Sequence, residues 1–197
     1  MNVLLIETRL ISGQTLQLIK GDITAENTDA IVNAANRYLQ HGAGVAGAIL
    51  LRGVPVIEEG SDAWVQSHGP VKHNEPAWTS GGNLPCRIVI HAVGPVWDNS
   101  DSASSGDEKD AELAAAVKGS LEVADRLGLT SIAFPALSTG IFGFPEERAA
   151  GVFYRFIQEY FFGPTGLRLV RLVLYKASTV TSFEKVWHDH FSPKSQA

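Results

Sequence analysis

Apolar and polar positions follow two rhythms along this chain, a period near two and a period near 3.6, and the switches between them outline a fold. Residues 2–10 and 14–20 are apolar-rich runs broken at Ser12-Gly13, which predicts a hairpin. A polar loop spans Thr24 to Asp29, and residues 30–34 form a third strand. A small-residue helix begins near Gly44 and is interrupted around Gly53; Pro55 opens a further helical piece reaching about Gln66. Turn formers crowd residues 67–86, among them Gly69-Pro70, Gly81-Gly82 and Pro85. The run Arg87 to Val93 predicts a strand buried on both faces. Residues 98–110, acidic and serine-rich, predict an exposed loop. Leu113, Val117, Leu121 and Ala124 recur at helical spacing, so a helix runs from about Glu108 to Leu127.

Ser131 to Phe134 is a further strand, and Pro135 to Pro145 is a loop. Glu146 and Glu147 then occupy the first turn of a helix, where carboxylates suit the dipole. Its buried stripe is Ala149, Val152, Phe153, Phe156, Ile157 and Tyr160. Residues 168–175 make the last strand, and Thr181 with Glu184 has capping-box spacing for a final helix. Strands alternating with helices predict the α/β class, a mostly parallel sheet covered on both faces. Ligands of such sheets bind beyond the carboxyl ends of the strands. Asp22, Asn36, Gly94, Ser138 and Tyr175 all follow predicted strands, so they are expected on one edge.

Bulk properties narrow the class. A chain of 197 residues suits one domain, expected over 1–191, with the polar tail 192–197 mobile. No apolar run approaches the roughly 20 residues that cross a bilayer, and MNVLLIETRL lacks the flanks of a signal peptide. The lone Cys86 cannot form an internal disulfide, which favours a reducing compartment and a cytoplasmic location. A net charge of −5 argues against nonspecific nucleic-acid binding. It does not argue against an anionic ligand, because backbone amides bind phosphates whatever the net charge.

The chemistry concentrates between Ile31 and Leu51. A short strand leads to Asn33 and Asn36, then to His41-Gly42-Ala43-Gly44, then directly into a small-residue helix. Glycines let N–H groups approach a ligand, and a helix N-terminus adds partial positive charge, so the order of parts suits an anion. Gly42, Gly44 and Gly47 match the letters of a dinucleotide fingerprint, but Gly42 lies well past its strand and Glu58 and Glu59 fall in a predicted helix. A second loop after the 131–134 strand, Ser138-Thr139-Gly140-Ile141-Phe142-Gly143, offers successive N–H groups and hydroxyls, the make-up of an anion nest. Two nests on one edge could hold a diphosphate between them. The histidines lack a carboxylate or cysteine framework, so no metal site and no cofactor is expected.

Five blocks in register carry a resemblance. Gly21-Asp22-Ile23-Thr24, Val32 to Asn36, His41 to Ile49, Ile90 to Pro95 and Ala136 to Pro145 together resemble the macrodomain family from residue 18 to about 187. The resemblance implies a three-layer α/β/α sandwich with a mixed, mostly parallel sheet that binds ADP-ribose. It assigns Asp22 to the adenine amino group and Ile23 to the adenine pocket, with Tyr175 either stacking on the base or standing as a wet strand-end tyrosine. Gly44, Val45 and Ala46 with Ser138, Thr139, Gly140, Ile141, Phe142 and Gly143 would wrap the diphosphate. Asn36 would hold the distal ribose with Phe142 against it, and Asn33 would brace the backbone of the elbow.

Residue 46 divides the possible activities. The MacroD-type branch carries an aspartate in its G-G-G-V-D-G segment, where this chain has Ala46. The segment Gly42-Ala-Gly-Val-Ala-Gly is closer to viral and archaeal macrodomains, with Ala43 replacing a usual glycine. Three activities stay open: hydrolysis of mono-ADP-ribosyl esters on acidic side chains, binding without turnover, and a phosphatase acting on ADP-ribose 1″-phosphate. Asn36 and His41 are the candidate catalytic residues, and the partners implied are ADP-ribose and mono-ADP-ribosylated proteins or metabolites. His41 braces the loop or acts as a base, and His91, in a buried strand, is structural.

Overall fold

The computed structural model describes residues 1–98 and 103–191, with 103–105 described by backbone alone. Among them, strands Val3–Arg9 (β1), Thr15–Lys20 (β2), Ala30–Ala34 (β3), Ala77–Ser80 (β4), Ile88–Ala92 (β5), Ser131–Phe134 (β6) and Leu169–Leu174 (β7) form one sheet. Its order is β1-β2-β7-β6-β3-β5-β4. The five inner strands run parallel, and only the edges β1 and β4 are antiparallel to their neighbours. Helices Gly44–Gly53 (α1), Val56–His68 (α2), Ala103–Arg126 (α3), Glu146–Tyr160 (α4) and Ala177–Phe191 (α5) cover the two faces.

Period-two alternation divides the core. Leu18, Val32, Ile90, Ile132 and Leu172 point to one face, where they meet Leu113 and Val117 of α3, Phe153 of α4 and Phe183 of α5. Their chain neighbours Ile19, Ile31, Val89, Ala133 and Val173 point to the other and meet Ile49 of α1 and Ile57 of α2. Three layers result, as expected. The loop after β3 therefore leaves toward α1, whereas the loop after the adjacent β6 leaves toward α4 on the opposite face. Between them the sheet edge opens into a crevice, a topological switch point.

Several boundaries differ from the expectation. β4 lies inside the stretch read as turns; its four residues alternate buried and exposed against β5. Helix α3 begins at Ala103, so residues 103–110 of the expected acidic loop are helical. Their acidic character marks a solvated face, where Arg148 of α4 pairs with Asp107 at 3.0 Å and Asp110 at 2.6 Å. The rest of that loop, 99–102, and the tail 192–197 lie outside the described residues. Helix α5 starts at Ala177, and the Thr181 hydroxyl donates back to the Ala177 carbonyl at 3.2 Å instead of capping. The loop Thr24 to Asp29 opens on a 3-10 turn, Ile23–Ala25.

Helical glycines separate two effects of opposite sign. A Cβ on Gly119 in α3 would stand 2.8 Å from Pro76 Cδ and 2.9 Å from the Asn74 carbonyl oxygen, while one on Gly151 in α4 meets nothing within 4 Å. Gly119→Ala should therefore lower unfolding stability by about 1–3 kcal/mol through overpacking. Gly151→Ala should raise it by about 0.5–1 kcal/mol through helix propensity alone. Denaturant unfolding of both variants checks the opposed signs; a stabilised Gly119→Ala would contradict the packing.

Candidate functional site

The loop after β3 is built around Asn36. Its Oδ1 accepts from the Tyr38 amide at 3.0 Å and the Gln40 amide at 3.1 Å, and its Nδ2 donates to the Gln40 carbonyl at 3.0 Å. This side-chain turn lets Leu39 take φ 54°, a left-handed conformation held by a buried side chain. One N–H of the Asn36 amide remains beyond those three bonds. Gly44 then takes φ 61°, and α1 starts with Ala43 as an N-cap that makes no side-chain hydrogen bond. The first N–H groups of α1, at Gly44, Val45 and Ala46, are left without intrahelical partners by helix geometry.

Across the crevice, the loop after β6 is held by its own backbone and by Trp97. The Trp97 amide donates to the Phe142 carbonyl at 2.8 Å, and Phe144 donates to the Ser138 carbonyl at 2.9 Å. Ser138 adopts φ 67°, strain for a residue with a Cβ, and its buried hydroxyl has no partner among the described residues. The amides of Gly140, Ile141 and Phe142 likewise find no acceptor among the described residues. Phe142 is half-buried and belongs to no core cluster. Two runs of unpaired donors thus face the same sheet edge from adjacent strands. Such an arrangement has the make-up of an anion nest.

The third part follows β2. The Asp22 carboxylate accepts from the Thr24 amide at 2.9 Å and hydroxyl at 2.6 Å, and pairs with Arg52 of α1 at 3.0 Å. Burial alone would raise its pKa; the Thr24 hydrogen bonds and the Arg52 guanidinium outweigh that and hold it below the ordinary value. Tyr175 directly follows β7 and is 81% exposed. It stands level with Gly21, whose amide donates to the Leu174 carbonyl at 2.9 Å. Asp22, Asn36, Gly94, Ser138 and Tyr175 therefore do share one edge, at the carboxyl ends of the parallel strands.

Beneath this edge runs a buried polar network. The Nδ2 of fully buried Asn33 lies 3.3 Å from His41 Nδ1 and 3.0 Å from His91 Nδ1, so it donates one N–H to each ring. Both rings then carry their proton on Nε2, which reaches Ser61 Oγ at 2.9 Å from His41 and Thr79 Oγ1 at 2.9 Å from His91. Burial pushes the His91 pKa down to about 3, helped by nearby His41, and burial also lowers that of His41 against the pull of Glu58 and Asp62. Asn33 was expected to bond backbone; it bonds two imidazoles instead.

Comparisons with known proteins agree with this architecture. The Macro domain family model matches residues 32–153. A macro domain-containing protein of Caldanaerobacter subterraneus subsp. tengcongensis is 38% identical over 89% of this chain and 97% of its own. The chain belongs to the macrodomain family. An uncharacterised protein of Pyrobaculum aerophilum is 46% identical over 91% of this chain and 94% of its own length. Among solved structures, this macrodomain superposes on one from Oceanobacillus iheyensis with ADP, at TM-score 0.85 and 30% identity, over 96% of this chain and 97% of that one. A Trypanosoma brucei macrodomain in complex with ADP-ribose matches at TM-score 0.72 and 27% identity, over 86% and 68% of the two chains.

The expected site residues of this macrodomain differ in what they expose. Ile23 is buried among Ile19, Ile31 and Ile49, so its side chain belongs to the core. Val45 packs on the same cluster, and Ala46 is buried, leaving their backbone as the part available to a ligand. His41 has both ring nitrogens engaged with scaffold side chains. Sequence reasoning missed Thr24, Arg52 and Ser61. The Asp-x-Thr spacing of a side-chain turn was the visible signal for Thr24; nothing local marked the others.

Neutral His91 makes stability depend on pH. Its folded pKa lies below the unfolded value of about 6.5, so its contribution is complete above that pH and is lost as pH falls toward the folded value. From about pH 6 to about pH 5, wild-type unfolding free energy should fall more steeply than that of His91→Gln, by up to about 1.4 kcal/mol per pH unit. Parallel pH profiles in denaturant unfolding would contradict the buried neutral ring.

Proposed function

We propose that this macrodomain binds ADP-ribose across the crevice and hydrolyses mono-ADP-ribosyl esters of acidic side chains. The observation that carries the binding is the pair of unpaired donor runs, Gly44 to Ala46 and Gly140 to Phe142, at the switch point of the sheet. A diphosphate between them would receive hydrogen bonds from both. The adenine amino group would then lie at Asp22, with Tyr175 against the base, and the distal ribose at Asn36 and Phe142. The remaining N–H of Asn36 supports a contact to a ribose hydroxyl. Solved relatives named with ADP and ADP-ribose support the same ligand class.

Hydrolysis here rests on positioning. Water attacks C1″ of the distal ribose, the C1″–O bond breaks, the acidic side chain leaves as a carboxylate, and the water's proton passes to a phosphate oxygen of the substrate and on to solvent. A carboxylate is a good leaving group at neutral pH and needs no general acid. A phosphate oxygen of the substrate orients the water, a role that Ala46 cannot fill. Correct placement of two reactants is worth at most about 7–11 kcal/mol. Ala46 is also the observation that favours the second reading, a module that binds ADP-ribose without turnover. The hydrogen bonds of both His41 nitrogens, to Asn33 and Ser61, count against the phosphatase reading, for which His41 is the base.

Two measurements separate these readings. A Cβ on Gly140 meets nothing within 4 Å, and its φ is not left-handed, so Gly140→Val should keep the fold. It should weaken ADP-ribose binding by about tenfold or more in calorimetry, because the added side chain enters the diphosphate's space. Gly44 is the poorer choice, since its φ of 61° strains any replacement. Undiminished affinity in folded Gly140→Val would remove the diphosphate from this loop. In single-turnover release from an ADP-ribosylated glutamate, Asn36→Ala should lower the rate by a larger factor than it weakens binding. A wild type that binds ADP-ribose yet releases nothing above the uncatalysed background is a reader.

A further inference from the structure

Asp22 is gripped from a direction that the binding reading does not explain. Asn2, just ahead of β1, holds both peptide groups of Asp22. The Asp22 amide donates to Asn2 Oδ1 at 2.8 Å, and Asn2 Nδ2 donates to the Asp22 carbonyl at 3.1 Å. The same Nδ2 donates to a carboxylate oxygen of Glu26. One donor and two acceptors around the amide fix its orientation, since a flipped amide would oppose all three.

The anchor behind Asn2 is stiff. The Glu26 side chain is 1% exposed and pairs with Arg171 of β7 at 2.8 Å. Arg171 Nε donates to Gln17 Oε1 on β2 at 2.7 Å, and Gln17 donates to Glu7 on β1 at 2.6 Å. An ion pair with a buried carboxylate and a partly buried guanidinium, hydrogen-bonded on to β2, backs Asn2. Gly21 completes the fit: a Cβ there would stand 2.0 Å from Asn2 Oδ1 and 3.0 Å from Asn2 Cα. Only glycine lets Asn2 come this close.

We propose that Asn2 is a positioning residue for base selectivity, fixing the Asp22 peptide so that its carboxylate meets an amino group at the base and rejects a keto oxygen. The inference rests on the proposed reading of Asp22 as the adenine contact. Thr24 and Arg52 hold the carboxylate, and Asn2 holds the backbone that carries it. Selectivity against a missing hydrogen-bond donor requires an acceptor that cannot turn away. With the backbone released, Asp22 rotates further toward Arg52, and the keto oxygen loses its penalty.

The test compares ADP-ribose with inosine-diphosphate-ribose, which replaces the amino group by a keto oxygen. Calorimetry on the full chain gives the ratio of the two Kd values for wild type, Asn2→Ala and Gly21→Ala. A lower folded fraction weakens both ligands equally, so the ratio reports positioning and not stability. Wild type should prefer ADP-ribose, and Asn2→Ala should reduce that preference by about fivefold or more. Gly21→Ala, which displaces Asn2 sterically, should do the same and decides the matter if Asn2→Ala does not fold. A wild-type preference that survives in either folded variant overturns the inference and leaves the reading of Asp22 standing. A wild type that binds both ligands equally overturns the reading of Asp22, and the inference with it.

Discussion

Helix α1 begins with a residue that cannot cap it, and the loop after β6 turns without using three of its own amides. Backbone donors left unpaired at a folded surface carry a free-energy cost that water or a ligand must relieve. Here both sets occur where adjacent parallel strands send their loops to opposite faces of the sheet. The donors, the parting of the loops and the partial charge of the helix end coincide in one crevice. Much of the remaining structure serves to keep those two loops apart and in shape.

Each end of the crevice has a different kind of support. Under the β3 loop, Asn33 ties the His41 and His91 rings together, so the glycine turn rests on a neutral, hydrogen-bonded stack of side chains from β3, β5, β4 and α2. Opposite, Trp97 receives the cation of Arg148 on its face at 5.5 Å and contacts the Phe144 ring at 5.0 Å while its backbone holds Phe142. Behind Asp22 the support is the pair of buried Glu26 with partly buried Arg171. Polar groups buried in this way stabilise little in total, but they define one arrangement among several of similar packing.

The glycine loops were legible in the sequence because their order is local: strand, elbow, glycines, helix. The shared edge was legible for the same reason, since α/β topology places every strand's end together. Strand β4 was not, because four residues between turn formers give too little alternation to separate from a loop. The start of α3 was hidden by composition, as serines and acids on a solvated helical face look like a loop. Asn33 and Asn2 were harder in kind. The partners of Asn33 lie 8 and 58 positions away, and Asn2 meets Asp22 across 20. No periodicity reports a contact made by one amide between separate elements. Ile23, which the resemblance assigned to the adenine pocket, packs its side chain in the cluster of Ile19, Ile31 and Ile49, a contact across elements that no local pattern announces.

Amide-resolved NMR during titration with ADP-ribose tests the central claim most directly. The account predicts that the Gly44, Val45 and Ala46 amides and the Gly140, Ile141 and Phe142 amides shift together, with one affinity, as a single diphosphate bridges the two loops. Saturation of the protein with ADP-ribose while either set of amides stays unmoved would contradict it.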